Sequence, residues 1–388
     1  MSVPDLPRNY ITKEKARVKS DKNISVEKLE SLLEIAYRNY ISSRVFRSKA
    51  LLNGIIIELV TNSAHQYDFW LRNWWVAPDE VLPHGIIYSV YGVEGMDPAA
   101  YYCPERYTAV FVNTEYYGQC KSWALGIAAI ILEKQFNTHS LHSACVDVDG
   151  KGVAIIAPTG TGKSTQAFKL FKRPNAKILG DDWLYIKHPL PGEDKPLIGR
   201  QPEKSLYMRT DAEENEPWLR DIFDKSPVEN VEIVEGQGEC MAEDCEGWCY
   251  HCFGNSRAII KREDLLGPEK VADETIVSLV VLLRRDKVNP AEVWLNPQEA
   301  GEVLKKGEYM IRPGAGPREK WGKMGNEPYY NPYLLELSHE RQQYYFSKMF
   351  DDHKVPCILL NTGVEGVEAT YQRIVEAIDS PKEPDPLG

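Results

Sequence analysis

The chain has 388 residues, of which 43% are hydrophobic and 27% charged. That is the composition of a soluble globular protein, and the length is that of two domains rather than one core. Its formal charge of -11, from 46 basic and 57 acidic residues, argues against nucleic-acid binding, although a local basic cleft for a triphosphate remains compatible with it.

The first stretch, MSVPDLPRNYITKEKARVKS, carries proline and charge where a signal peptide needs an apolar core. SVEKLESLLEIAYRNYI has a helical apolar period. From about residue 50 the texture becomes α/β: GIIIELV, GIIYSVYGV and YTAVFV are short β-rich runs, with QYDFWLRNWW and KSWALGIAAIILEKQF as helices between and after them. The longest apolar run, WALGIAAIIL, is about half of the roughly 20 residues a spanning helix needs. A cytoplasmic protein without membrane contact is expected, with its eight cysteines reduced.

A second unit begins at LHSACVDVDGKGVAIIAP, read as two strands joined by an Asp149-Gly150 turn. It runs directly into APTGTGKST, residues 157–165. This fits the phosphate-loop pattern [AG]-x4-G-K-[ST], with Ala157 at the first position. Gly160 and Gly162 permit turns that aim N–H groups inward, and a helix starting near Ser164 adds its positive dipole end. On this reading Thr159, Gly160, Thr161, Gly162, Lys163, Ser164 and Thr165 bind the triphosphate of ATP. Lys163 reaches the β- and γ-phosphates, and the Ser164 hydroxyl lies on Mg²⁺. AKILGDDWLYI is read as a strand bearing Asp181 and Asp182: one acid would bind the metal, and the other would hold water or take a proton. TIVSLVVLLRR and VPCILLNTG are further buried strands, GVEATYQRIVEAI is a closing amphipathic helix, and the tail reads as disordered.

With these residues placed, LHSACVDVDGKGVAIIAPTGTGKST…AKILGDD resembles the core of the ATP-dependent phosphoenolpyruvate carboxykinases. In that family a His-containing MHCSAN segment precedes the loop and IGDD follows it. NTEYYGQCKS is similar to the family's GTEYAGEMKK, FWLRNWWVAP to LFARNMFIRP, CEGWCYHC to FEGGCYAK, GNSRAII to ENTRVSYPI, LSHERQQYYF to LTADQTQYHF, and LLNTGVEG to VNTGWSGG. The order is kept from about residue 65 to 378. The resemblance implies an α/β protein of two domains: residues 1–137 form an N-terminal α/β domain on the substrate side, and 138–380 a mixed-sheet nucleotide-binding domain, followed by a disordered tail at 381–388. The active site would lie in the cleft between the domains.

Residue by residue, the resemblance implies His142 and Asp181 as metal ligands with Ser164, on Mg²⁺ or Mn²⁺. Lys121, His142, Lys163, Asp181, Asp182 and Arg257 would be the catalytic set. Arg257 would neutralise the transferring phosphoryl group, and Tyr116 and Lys121 would line the substrate pocket. The chain also departs from the family. Ser122 stands where the family has a metal-ligating lysine, and a hydroxyl is a much poorer donor to Mn²⁺ than an amine. The family's GRSPKDK segment, with its substrate arginine, has no counterpart.

The expected activity is therefore ATP- and metal-dependent phosphoryl transfer to an oxygen of a small molecule, by a monomer or homodimer. The alternatives are a genuine carboxykinase, a protein kinase of the HPr kinase type, and a nucleotide-binding regulator without chemistry. Cys240, Cys245, Cys249 and Cys252, with His251 among them, suggest zinc, but C-x4-C-x3-C-x2-C lacks the paired knuckles of zinc sites. The resemblance instead implies an active-site loop at Cys249 and Glu246. FWLRNWW is read as core, and Tyr329, Tyr330 and Tyr333 are as readily packing residues as cleft-lining ones.

Overall fold

The computed structural model describes residues 8–12, 18–214, 216–231, 256–311 and 320–384. Over these the chain is a mixed α/β protein with several mixed sheets. No described helix is long and apolar enough to cross a membrane. The chain divides into two compact units, one of Met1–Ile131 with Glu203–Lys261 and one of Leu132–Pro202 with Arg262–Gly388. The expected domain 1–137 ends close to the first boundary, whereas 138–380 gives up Glu203–Lys261 to the N-terminal unit. Strand pairing over long sequence separations makes this assignment. Val228–Glu229 pairs in parallel with Asn9–Tyr10, and Arg257–Lys261 pairs with both Val228–Glu229 and Ser205–Arg209.

The N-terminal unit also holds a seven-stranded sheet in the order Lys19–Asp21, Ala99–Cys103, Thr108–Val112, Gly85–Val90, Ile55–Thr61, Phe46–Leu52, Trp75–Val76. Helix Val26–Ile41, capped by the Ser25 side chain, turns Leu29, Leu32, Ala36 and Tyr40 to one face. That stripe packs in one cluster with Val60, Val90, Val110 and Val112, and the Tyr40 hydroxyl donates to the carbonyls of Val60 and Ser89. Phe111 points away from Val110 and Val112, as strand alternation requires, and meets the edge of Trp123 on helix Tyr117–Gln135 at 5.2 Å. Trp70 and Trp74 of FWLRNWW are buried, while Trp75 is more than a third exposed.

The second unit is built on a nine-stranded sheet. Its main path runs Ala176–Gly180, Ser143–Val148, Lys151–Ile156, Glu274–Arg284, Ile198–Arg200, Leu184–Lys187, Thr138–Leu141. The hairpin at Asp149-Gly150 forms as the sequence suggests, with φ of 54° and 81°. Lys151–Ile156 then pairs in parallel with Glu274–Arg284, which pairs in parallel with Cys357–Asn361. AKILGDDWLYI is two strands, not one. Ala176–Gly180 pairs with Ser143–Val148, while Leu184–Lys187 pairs with Thr138–Leu141 at the far end of the order. Both chain segments therefore leave one place in the sheet for another, the first at His142 and the second at Asp181–Trp183. The described cysteines, Cys103, Cys120, Cys145 and Cys357, are free and buried.

Candidate active site

Residues 157–162 connect strand Lys151–Ile156 to helix Lys163–Phe171. Ala157, Pro158 and Thr161 are buried, while Thr159 and Gly160 are exposed. Gly160 and Gly162 take φ of 81° and 104°, in the region that glycine enters at little cost. The turn is held from inside and outside. The Thr161 hydroxyl donates to the Pro158 carbonyl at 2.7 Å, and the Thr362 hydroxyl donates to the Thr161 carbonyl at 3.0 Å. Gly162 caps the helix without a side chain, and its carbonyl accepts from Gln166 N. The amides of Lys163, Ser164 and Thr165 are thus the first-turn donors that no helical carbonyl satisfies. Together with the helix dipole they form an anion-binding end.

His142, Lys163 and Asp182 meet at this end. His142 Nε2 lies 2.8 Å from Lys163 Nζ and 3.0 Å from Asp182 Oδ1, and the ammonium is 3.5 Å from the same oxygen. His142 Nδ1 lies 2.6 Å from the Tyr330 carbonyl. A carbonyl only accepts, so Nδ1 carries the proton and Nε2 presents its lone pair. Burial, then the charge of Lys163, lowers the His142 pKa from its ordinary value, which favours the neutral ring. The Tyr333 hydroxyl donates to Asp182 Oδ2 at 3.3 Å, and its ring meets His142 edge-on at 5.2 Å. Of the two acids, Asp182, and not the Asp181 expected as the metal ligand, is the one whose carboxylate stands against His142 Nε2. Asp181 directly follows strand Ala176–Gly180 and is partly buried, as are Ser164 and Thr165.

Tyr330 reaches His142 because of an unusual turn. Tyr329 and Tyr330 have φ of 60° and 52°, a conformation costly for non-glycine residues and common at functional sites. The Tyr329 ring stacks on Phe346, and its hydroxyl donates to the His339 carbonyl. The Tyr330 hydroxyl donates to the Glu308 carbonyl.

In the N-terminal unit, Lys121, Tyr116 and Arg257 converge on a residue the sequence reading did not single out, Tyr207. Lys121 Nζ lies 5.9 Å and Arg257 Cζ 5.8 Å from its ring centre, and the Tyr116 ring lies 6.4 Å away. Beneath them is a buried carboxylate, Glu229. His65 Nε2 stands 2.6 Å from it, Tyr117 N donates to it at 3.2 Å, and the Tyr207 hydroxyl donates to its other oxygen. Such a fully enclosed carboxylate persists only with partners of this kind. A second one, Glu203, takes Asn73 Nδ2 at 2.9 Å and pairs with Lys121 at 3.4 Å. The Ser122 hydroxyl donates back to the Gln119 carbonyl of its own helix.

Cys240, Cys245, Glu246, Cys249, His251 and Cys252 lie outside the described residues. Among the described residues no group of three or more His, Cys, Asp or Glu side chains gathers in a way that holds a metal ion. No protein-family model matches the chain, and no curated protein matches it.

Proposed function

We propose that the protein transfers the terminal phosphoryl group of ATP to an oxygen of a small-molecule acceptor, with a P-loop nucleotide site like that of the phosphoenolpyruvate carboxykinases. The observation that carries the reading is the convergence of His142, Lys163 and Asp182 at the N-terminal end of the helix that follows the glycine loop. A generic phosphate loop needs only its lysine, its hydroxyl and an acid. An imidazole fixed with its lone pair toward that lysine and acid is an additional part, and it belongs to metal-assisted chemistry.

The donors present fit a hard or borderline divalent cation, because they pair a neutral imidazole nitrogen with a carboxylate oxygen. His142 Nε2 and Asp182 Oδ1 would hold Mg²⁺ or Mn²⁺, with the Ser164 hydroxyl and phosphate oxygens completing the shell. A cation held there would supply Lewis-acid polarisation of the transferring phosphoryl group. Lys163 and the first-turn amides bind and orient the phosphates. The Tyr330 carbonyl keeps His142 in the tautomer that can donate its lone pair. Asp181 is the second acid, available to take the acceptor's proton. In a loose phosphoryl-transfer transition state, this positioning and charge neutralisation supply most of the rate. With Ser122 in place of the family's lysine, a kinase is favoured over an oxaloacetate-decarboxylating enzyme.

The test is ADP formation from ATP with Mg²⁺ or Mn²⁺ across a panel of hydroxy acids, sugars, alcohols and oxaloacetate. Expected is acceptor-dependent ADP release that falls about 100-fold or more in Lys163→Met. An enzyme-like rate of phosphoenolpyruvate formation would identify a carboxykinase instead. Absence of both ATP binding and turnover would overturn the reading.

A further inference from the structure

We infer that in the nucleotide-free protein the ammonium of Lys163 occupies the place of the divalent cation, so that lysine and metal exclude each other at His142 and Asp182. The inference deepens the function proposed above and rests on it. Lys163 Nζ, His142 Nε2 and Asp182 Oδ1 form a triangle with sides of 2.8, 3.0 and 3.5 Å. Because Nδ1 keeps its proton and donates a hydrogen bond to the Tyr330 carbonyl, two electron-rich atoms, a lone pair and a carboxylate oxygen, face each other across 3.0 Å. That contact repels unless a cation lies against both atoms, and Lys163 is that cation.

A divalent cation needs the same two donors at about 2.1 Å. An ammonium left in place would stand within about 3 Å of it, where like charges repel by several kcal/mol even at an intermediate dielectric. One must leave. Lys163 is the first residue of its helix, and its flexible stem lets the ammonium swing from His142 toward an anion bound at the helix's first-turn amides. Metal arrival therefore delivers the lysine to the phosphates, and phosphates that draw the lysine away open the metal site. Each ligand raises the other's affinity by the same factor.

The probe is Mn²⁺ alone, with free Mn²⁺ followed by electron paramagnetic resonance in the absence of nucleotide. Lys163→Met and Lys163→Gln are each expected to bind Mn²⁺ about tenfold or more tightly than the natural protein, because the competing cation is gone. His142→Gln is expected to weaken Mn²⁺ binding in both the natural and the Lys163→Met backgrounds. A non-hydrolysable ATP analogue should tighten Mn²⁺ binding in the natural protein. Unchanged or weaker Mn²⁺ binding in folded Lys163→Met and Lys163→Gln, with dependence on His142 retained, would overturn the inference while leaving the metal site standing. Mn²⁺ binding indifferent to His142→Gln would overturn the site itself and the functional reading with it. Thermal melts of each variant establish that it is folded.

Discussion

Tyr330 acts on His142 through its main chain, so the two positions should respond differently to mutation. Tyr330→Phe keeps the carbonyl that fixes the imidazole and loses only the hydroxyl bond to the Glu308 carbonyl. It is expected to cost about 1 kcal/mol of stability and to leave Mn²⁺ affinity within about twofold, since no donor changes. His142→Gln removes the lone-pair nitrogen and should cost Mn²⁺ affinity about tenfold or more at similar stability. Urea denaturation and Mn²⁺ titration of the two variants separate these outcomes, and a large loss of Mn²⁺ affinity in Tyr330→Phe would contradict the main-chain role. This contrast also marks what was legible. His142, Lys163 and Asp182 are side chains in a spaced pattern, and the sequence names all three. A carbonyl has no residue type, so Tyr330 left no trace beyond a tyrosine-rich stretch. Its left-handed backbone was equally hidden, because neither Tyr329 nor Tyr330 is the glycine that usually marks such a turn. Tyr207 was missed for a different reason. Its relation to Arg257 comes from strand register, with Arg209 opposite Arg257 and Tyr207 opposite Ile259, and no local pattern encodes register between segments so far apart.

Among the elements, helix Pro297–Lys306 shows how the Tyr330 turn is supported. Its N-terminus carries a capping box, Asn296 with Glu299, and its C-terminus ends at Gly307 with φ of 54°. A Cβ at 307 would fall 1.8 Å from the Glu327 carbonyl oxygen and 2.4 Å from its carbon, both main-chain atoms. Glu327 N donates to the Gly307 carbonyl, and Tyr330 N donates to the Glu327 carbonyl. Gly307→Ala must therefore displace Glu327 and the turn it begins. The expected result is a loss of about 2 kcal/mol or more, with weaker Mn²⁺ binding because the Tyr330 carbonyl shifts. Asn296→Ala, at the other end of the same helix, should cost about 1 kcal/mol and leave Mn²⁺ binding unchanged. Equal effects of the two variants on Mn²⁺ would show that the turn does not depend on Gly307. Elements with a strong local signal form where the sequence suggests: the Asp149-Gly150 hairpin and the helix Lys163–Phe171 that follows the glycine-containing turn. Ala176–Gly180 and Leu184–Lys187 were read as one strand because every residue but the acids suits a strand. Only pairing with separate partners reveals the break that brings Asp182 to His142.

At the scale of the whole molecule, buried histidines couple stability to pH. His188 is almost fully enclosed, and neither ring nitrogen has a hydrogen-bond partner among the described residues. Burial, followed by the neighbouring His139, His353, Lys348 and Lys187, pushes its pKa down from 6.5 to about 2. Burial also lowers His139, against the opposing influence of Glu133 and Gln342, and lowers His142. In the unfolded chain all three imidazoles take a proton near pH 6.5. In the folded chain they stay neutral below that pH, so the unfolded state binds more protons and acid favours it. The stability tied to these groups is complete above about pH 6.5 and falls as pH drops below it, by about 1.4 kcal/mol per pH unit for each imidazole that remains neutral. For His188 the loss continues to about pH 2. His188→Phe replaces the ring with an apolar one of similar shape and removes one such group. Urea unfolding at pH 8 and at steps from about pH 6.5 to pH 5 should give, below about pH 6.5, a slope shallower by about 1.4 kcal/mol per pH unit in this variant, with stability at pH 8 retained, since no hydrogen bond is lost. A slope equal to that of the natural protein would mean that His188 accepts a proton in the folded state, which an enclosed imidazole beside other histidines and lysines should resist.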